Sequence, residues 1–466
     1  MPNLTLSFHP IVHPITHPIA RALAAAGLCA GIAAPAWADT EAQRIQALER
    51  RLESSTQLIE KLAVRLAELE RNAQPQAGAA PAAETAQAIA TLQQSVAQLA
   101  EGSGAKDRET GLLVHGFADV GAGWSSKGDP SRLRGFNAGA LDLYLTPQIG
   151  DRVKSLVELV FEYDSAGGLA VDLERLQLGY TVSDALTVWL GRFHTPFGVW
   201  NTWYHHGTQL QTSIFRPRMV DFEDRGGFLP SHSVGAWATG KTSLGPGKIS
   251  YDAYLTNGPS IRGRTLDFGA FTDNDSNKLL GFNLGYEPAG VLSGLVVGVH
   301  GFGASAGVYD PNGAVLSKSR LRMFGAYFGY DTDNWDAIGE VYRFANTDVA
   351  NAGLANAGLG NVGTRHTSSA GFFQVGRHFG AWTPFVRYER AALDSNDPFF
   401  ASQNAGRSYR RTSLGLRYDI DPKSAFKIEL SNTREPAVVQ IDENGASAPL
   451  DGASYRRAAL QYSIAF

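Results

Sequence analysis

From about Gly111 to Phe466, apolar and polar residues alternate with a period of two, the pattern of strands that bury one face. The last segment shows it most clearly: Ala458, Leu460, Tyr462, Ile464 and Phe466 fall on one face, and Arg457, Ala459, Gln461 and Ser463 on the other. Leu141 to Leu145, Leu414 to Tyr418 and Phe426 to Leu430 repeat the alternation. About 16 strands are predicted, starting near residues 112, 136, 152, 170, 185, 230, 247, 277, 292, 319, 334, 366, 381, 408, 424 and 455. In the fourth the apolar phase slips between Leu173 and Leu176, which predicts a bulge.

Alternation alone suits a soluble sandwich as well as a membrane barrel, so the connections decide. They alternate in length. Short ones fall at 148–151, 183–184, 244–247, 287–290, 331–334, 379–381 and 420–422, and longer ones near 125–134, 164–168, 195–229, 258–276, 304–318, 346–365, 393–407 and 433–454. Short turns on one rim and long loops on the other predict an all-β, 16-stranded antiparallel transmembrane barrel over 111–466. Tyr180, Tyr286, Tyr330 and Tyr418 each close a strand before a short turn and predict an aromatic girdle.

Upstream the period changes to seven. Ile45, Leu52, Ile59 and Leu66 occupy one seam position, with Leu48, Ser55, Leu62 and Leu69 at the other, so 39–72 reads as a short α-helical coiled coil that self-associates. Pro75 and Pro81 break it, and 73–110 is a linker holding a short second helix. Residues 1–38 read as a signal peptide: Arg21, an apolar run from Ala22 to Ala34 too short to span a bilayer, then small residues around Ala36-Trp37-Ala38. The barrel is therefore expected in the outer membrane of a Gram-negative cell, with the coiled coil in the periplasm.

The lone Cys29 falls inside that signal, which excludes disulfides and thiol chemistry from the remaining chain. A formal net charge of −4 excludes a nucleic-acid partner. No nucleophile motif is present, so no enzyme is expected, and no cofactor. Arginines outnumber lysines 24 to 8 after residue 110; because the guanidinium fork suits carboxylate and phosphate, a weakly anion-leaning interior is expected. Arg387, Arg411, Arg417 and Arg457 fall on polar strand faces and are expected to face the lumen, although rim snorkelling explains such residues equally.

The terminal Leu460, Tyr462, Ile464 and Phe466 resemble the signal read by barrel assembly machinery. The order of signal, coiled coil and barrel is similar to that of trimeric outer-membrane porins of the phosphate-selective-porin-like superfamily with an N-terminal coiled-coil extension. Gly191-Arg192-Phe193-His194-Thr195-Pro196-Phe197-Gly198 resembles a stretch of that group preceding the third long loop. That resemblance implies a homotrimer and passive diffusion of small hydrophilic solutes through a constriction formed by the third loop. The lysine cluster of phosphate-selective members is not found here. Arg192, just before that loop, and Arg216, Arg218 and Arg225 within it would face Asp221, Glu223 and Asp224 across the pore. The same charges also suit an ion-pair network that pins the loop. His194, His205, His206 and His232 have no spacing that enforces a metal site, and no metal is expected. The coiled coil reaches toward peptidoglycan only by geometry. The other reading is a non-conducting outer-membrane barrel serving as adhesin, receptor or structural protein.

Overall fold

The computed structural model describes residues 112–466 except 130–132, 148, 164–167, 205–206, 223–224, 270–276, 352–353 and 355–360. The expected signal, coiled coil and linker lie outside the described residues.

Sixteen strands form the barrel. They are β1 (Leu112–Ser125), β2 (Arg134–Pro147), β3 (Val153–Tyr163), β4 (Leu169–Ser183), β5 (Leu186–His194), β6 (His232–Leu244), β7 (Gly247–Asn257) and β8 (Lys278–Glu287). They continue as β9 (Leu295–Tyr309), β10 (Val315–Asp331), β11 (Trp335–Asn351), β12 (Arg365–Arg377), β13 (Trp382–Ala392), β14 (Tyr409–Asp421), β15 (Ser424–Glu435) and β16 (Ala453–Ala465). Each pairs antiparallel with the next, and β16 returns to β1, where Phe117 lies opposite Ala465 and Ser125 opposite Arg457. The sheet is therefore closed. Among the described residues the sixteen barrel strands leave no free edge to pair with another chain.

Burial along the strands is the reverse of a soluble protein's. On β13, Val386 and Tyr388 are exposed while Arg387 and Glu389 are fully buried. On β15, Phe426, Ile428 and Leu430 face out while Lys427 and Glu429 are 0 % exposed. A surface of unpaired apolar side chains on this scale costs about 25 cal/mol per Å² in water, so the outer face demands an apolar solvent.

The slip in the fourth strand is a bulge. Glu158 pairs with Arg175 and Leu159 with Leu173, leaving Glu174 as the extra residue. Val171 and Leu178 stay outside while Glu174 and Arg175 both bond to lumen-side groups. Without the extra residue one of these charges would enter the apolar face.

One loop differs from expectation. The fifth connection, read as 304–318, is only the turn 310–314, because β9 and β10 extend to meet it. Asp310 Oδ1 accepts from Asn312 N (2.9 Å) and Ala314 N (2.7 Å) and closes the turn locally. The small residues Gly303 to Gly307 lie inside β9, and its end, Gly307 to Tyr309, pairs parallel with Ser260–Arg262 of the preceding loop.

At the short-turn rim, Tyr180 is exposed and Trp382 packs on Tyr418 at 4.4 Å. Tyr286 and Tyr330 are half-buried at equivalent strand ends. At the long-loop end an apolar core lies within the mouth. Phe344 meets Phe400 at 5.3 Å, Phe228 meets Phe400 at 5.8 Å, and Leu354 and Ile441 are wholly buried. Each such phenyl contributes roughly 1.5–3 kcal/mol by burial.

Asp397 caps the helical turn Pro398–Ala401 in this core, accepting from Phe399 N at 3.0 Å and from Asn346 Nδ2 at 2.8 Å. Burial pushes its carboxyl up to about 6, although the Asn346 bond, nearby His366 and the Phe399 N–H pull the other way. A folded pKa above the unfolded value means the native state holds the proton more tightly. Its contribution to stability is full below about pH 4 and is lost as pH rises toward 6. Asp397→Asn is expected to remove about 2–3 kcal/mol of that pH dependence. Melting temperatures of both proteins at pH 4 and pH 7.5 check this: the wild-type difference should shrink in the variant.

Candidate functional site in the barrel lumen

The third long loop, 195–231, leaves β5 and returns to β6, and its first residues are set by the Gly191–Gly198 motif. Gly191 has φ +123°, and a Cβ there would overlap the Leu176 carbonyl of β4. Arg192 then donates to the Glu174 carbonyl (3.0 Å) and the Gly269 carbonyl (2.9 Å), with Glu174 Oε2 at 3.4 Å. His232, the first residue of β6, holds the same carboxylate at 2.7 Å. Gly198 has φ +62°, and a Cβ on it would overlap the Glu340 carboxylate. That close approach lets Val199 N (3.1 Å) and Trp200 N (2.5 Å) donate to Glu340 Oε1, while the Tyr342 hydroxyl donates to Oε2. Glu340 thus caps the helical turn Trp200–Trp203 from a wall strand, β11.

Beyond this turn the loop crosses the lumen. In a closed ring of sixteen strands β13 stands opposite β5, and the loop is fastened to β13. Arg387 Nη1 donates to Ser213 Oγ (2.8 Å) and the Phe215 carbonyl (2.9 Å), and the guanidinium is held by Glu389 (3.0 Å) and Glu429 (3.1 Å). Glu429 Oε2 also accepts from Ile214 N (2.9 Å) and Phe215 N (3.0 Å). Arg417 on β14 donates to the Gln209 (2.6 Å) and Gln211 (3.0 Å) carbonyls, Lys427 to that of Thr208. Thr208 reaches Asp119 on β1 at 3.2 Å, and Thr212 bonds Asp336 on β11. Trp203 lines a cavity of about 500 Å³ with Lys248, Glu287 and Asp331, all at the short-turn rim, so the loop descends deep into the barrel.

The expected constriction residues are distributed along this path. Arg216 folds back onto its own loop, donating to the Val220 carbonyl at 2.6 Å and to Asn201 Oδ1 at 3.3 Å, with Asp221 at 3.8 Å. Arg218 pairs with Glu435 and stacks 4.7 Å above Tyr409, and its backbone N donates to Glu389 at 2.7 Å. Arg225 pairs with Glu162 on β3 and is 49 % exposed. Glu223 and Asp224 lie outside the described residues. Arg192, Arg216, Arg218, Asp221 and Arg225 are therefore each engaged in pinning the loop, and only Arg225 is strongly wetted.

Arg387, Arg411 and Arg417 point inward. Arg387 and Arg411 are buried beneath the loop, at 0 % and 5 % exposure. Arg411 donates to Thr433 Oγ1 at 3.0 Å and lies 3.8 Å from Glu389. Arg457 holds Asp129 of the first loop with two bonds of 2.6 and 2.7 Å. Of the terminal residues, Leu460 is exposed on the outer face, and Phe466 exchanges backbone bonds with Gly116 at 3.0 and 3.1 Å, closing the ring at the chain end.

Sequence reading missed Glu340, Glu389, Lys427 and Glu429, the carboxylates and amine that seat the loop. The available signal was their place on the polar face of strands otherwise apolar. His194 bonds Glu158 at 3.0 Å and lies 5.4 Å from the His232 ring, while His205 and His206 fall outside the described residues. Among the described residues, no three His, Cys, Asp or Glu side chains form a metal-binding group.

The lumen wall has two characters. On β11, β13 and β15 the inward charges are sealed under the loop. On β1, β3 and β4, Asp119, Glu162, Glu174 and Arg175 keep partial exposure and make a wetter wall, and Arg417 and Asp419 on β14 keep some as well.

Comparison with protein-family models finds no match, and comparison with curated protein sequences finds none. Solved structures with a similar fold include an anion-selective porin from Comamonas acidovorans, at 13% identity over 77% of this chain and 100% of that one, with a TM-score of 0.49. The outer membrane channel DcaP of Acinetobacter baumannii is similar at 12% identity over 78% and 99%, TM-score 0.47. Salmonella typhi OmpF in complex with daunomycin is similar at 14% identity over 77% and 98%, TM-score 0.43.

Proposed function

We propose that this chain is an outer-membrane porin: a passive channel for small hydrophilic solutes, narrowed by the third long loop, with no catalytic role. The carrying observation is the loop's path across the full lumen of a barrel whose outer face is apolar and whose inner face is charged. Lipid outside and water inside are the solvents those two faces require. In this orientation the short turns and the coiled coil lie in the periplasm, the latter toward peptidoglycan, and the long loops project outward. Phe466 and its neighbours serve the assembly machinery, and the coiled coil supports a homotrimer.

The wet wall sets the selectivity. Arg175, Arg192 and Arg225 pair there with Glu158, Glu174 and Glu162, so the charges balance and the anion preference is weak. Arg387 and Arg411 are neutralised under the loop and contribute little. In planar bilayers the purified protein is expected to give stepwise conductance, with a reversal potential in a salt gradient on the anion side. Arg225→Ala is expected to move that potential toward cations, whereas a wild-type potential on the cation side overturns the preference.

The apolar core in the long-loop mouth favours a second reading, a closed barrel acting as adhesin or receptor. Absence of conductance steps from folded, inserted protein would establish that reading instead.

A further inference from the structure

Around half of the barrel, the outer face carries a row of arginines just above the apolar band. Arg390, Arg410, Arg434 and Arg456 are exposed and point outward near the long-loop ends of β13, β14, β15 and β16, and Arg322 and Arg343 are exposed on the same outer face at mid-strand on β10 and β11. They stand two to four residues beyond exposed apolar side chains: Arg390 beyond Tyr388, Arg410 beyond Leu414, Arg434 beyond Leu430 and Arg456 beyond Leu460. Three are in direct register, Arg390 opposite Arg410 and Arg410 opposite Arg434. Opposed residues have Cβ atoms only about 5 Å apart, and like charges so placed destabilise a sheet. Apart from Asp331, Asp419 and Asp421 at the short-turn rim, every Asp and Glu on β10 to β16 is buried among the described residues, and these six side chains form no ion pair there. The inward arginines on the same strands are all matched with carboxylates or hydroxyls, as Arg387 and Arg411 show. Among the described residues the outward row therefore lacks its counter-charge.

We propose that this row binds the phosphate groups of an anionic glycolipid in the leaflet at the long-loop rim. The charge is complementary, and the guanidinium fork engages phosphate oxygens in pairs. The height is also right, because a lipid's charged headgroup sits where its acyl chains end, and on β13 to β16 the arginines begin where the exposed apolar side chains stop. One phosphate between two opposed arginines turns their repulsion into a bridge. The inference rests on the barrel standing in a membrane, and it is independent of whether the lumen conducts.

The test uses the full chain in detergent with synthetic lipid A carrying two phosphates, and the same lipid with both phosphates removed. Native mass spectrometry reads the bound lipid and thermal unfolding reads its effect. Wild-type protein is expected to retain the bisphosphorylated lipid and melt higher with it, and to retain the dephosphorylated form at least tenfold less. The R390Q/R410Q/R434Q variant is expected to lose that retention while melting, without lipid, no lower than wild type, since an opposed set of charges is gone. Equal retention of the two lipids by wild type overturns the proposal, as does equal retention by the variant. Loss of oligomer in the variant with lipid binding intact would assign the arginines to an interface between copies and also overturn it. Conductance of the same preparations reports on the channel reading separately, since lipid retention and pore conduction are independent readouts.

Discussion

Arg387→Ala is expected to cost about 3–5 kcal/mol of barrel stability and to release the middle of the third loop from its wall. The guanidinium is fully buried between Glu389 and Glu429 and at the same time carries Ser213 and the Phe215 carbonyl of the loop. Its removal leaves two carboxylates in a dry site, and each must find water or a proton. Water enters most easily where the loop lifts away. Denaturant unfolding in a lipid or detergent environment should show the loss, and single-channel conductance should rise and become noisier as the loop swings. Because a buried ion network costs much of its own Coulomb gain in desolvation, R387M/E389Q/E429Q should recover a good part of the stability but not the loop position. A variant as stable as wild type with unchanged conductance would show that the loop is seated by its apolar contacts alone.

Gly198→Val is expected to undo the other anchor. At φ +62° a β-branched residue is strained by about 1–3 kcal/mol, and its Cβ also overlaps the Glu340 carboxylate. The helical turn Trp200–Trp203 would then lose the acceptor for Val199 N and Trp200 N, and fully buried Phe197 and Trp200 would be pulled from their core. The measurement is limited proteolysis of folded protein: cleavage within 199–216 should appear in the variant and not in wild type. Adding Glu340→Ala removes the overlap but not the backbone strain, so the double variant should be less unstable than the sum of the singles.

Much of the fold was legible because a barrel writes its geometry in a period of two. Strand starts read from alternation fall within a few residues of those observed, as at β7 and β15, and the slip between Leu173 and Leu176 is the bulge at Glu174. The fifth loop was read too long because Gly303 to Gly307 lack large side chains, and a strand of small residues shows little alternation. The site was less legible. An inward position is polar whether water or a folded loop covers it, so Arg387, sealed under the loop, and Arg225, half in water, look alike in sequence. The anchors Glu340, Glu389 and Glu429 lie 140 or more residues from the groups they hold, beyond any local pattern. The loop itself follows no period, since its course is set by those distant carboxylates.

The inverted faces are tested most directly by spin labels, because after Cys29 the chain has no cysteine and a Cys29→Ser background leaves none. Nitroxides placed singly at Val386, Tyr388, Leu414 and Leu430 in reconstituted protein should relax strongly with dissolved oxygen, which concentrates in lipid, and weakly with a water-soluble nickel chelate. The opposite ranking at these four positions would mean that water, not lipid, bathes the apolar face, and would contradict the account.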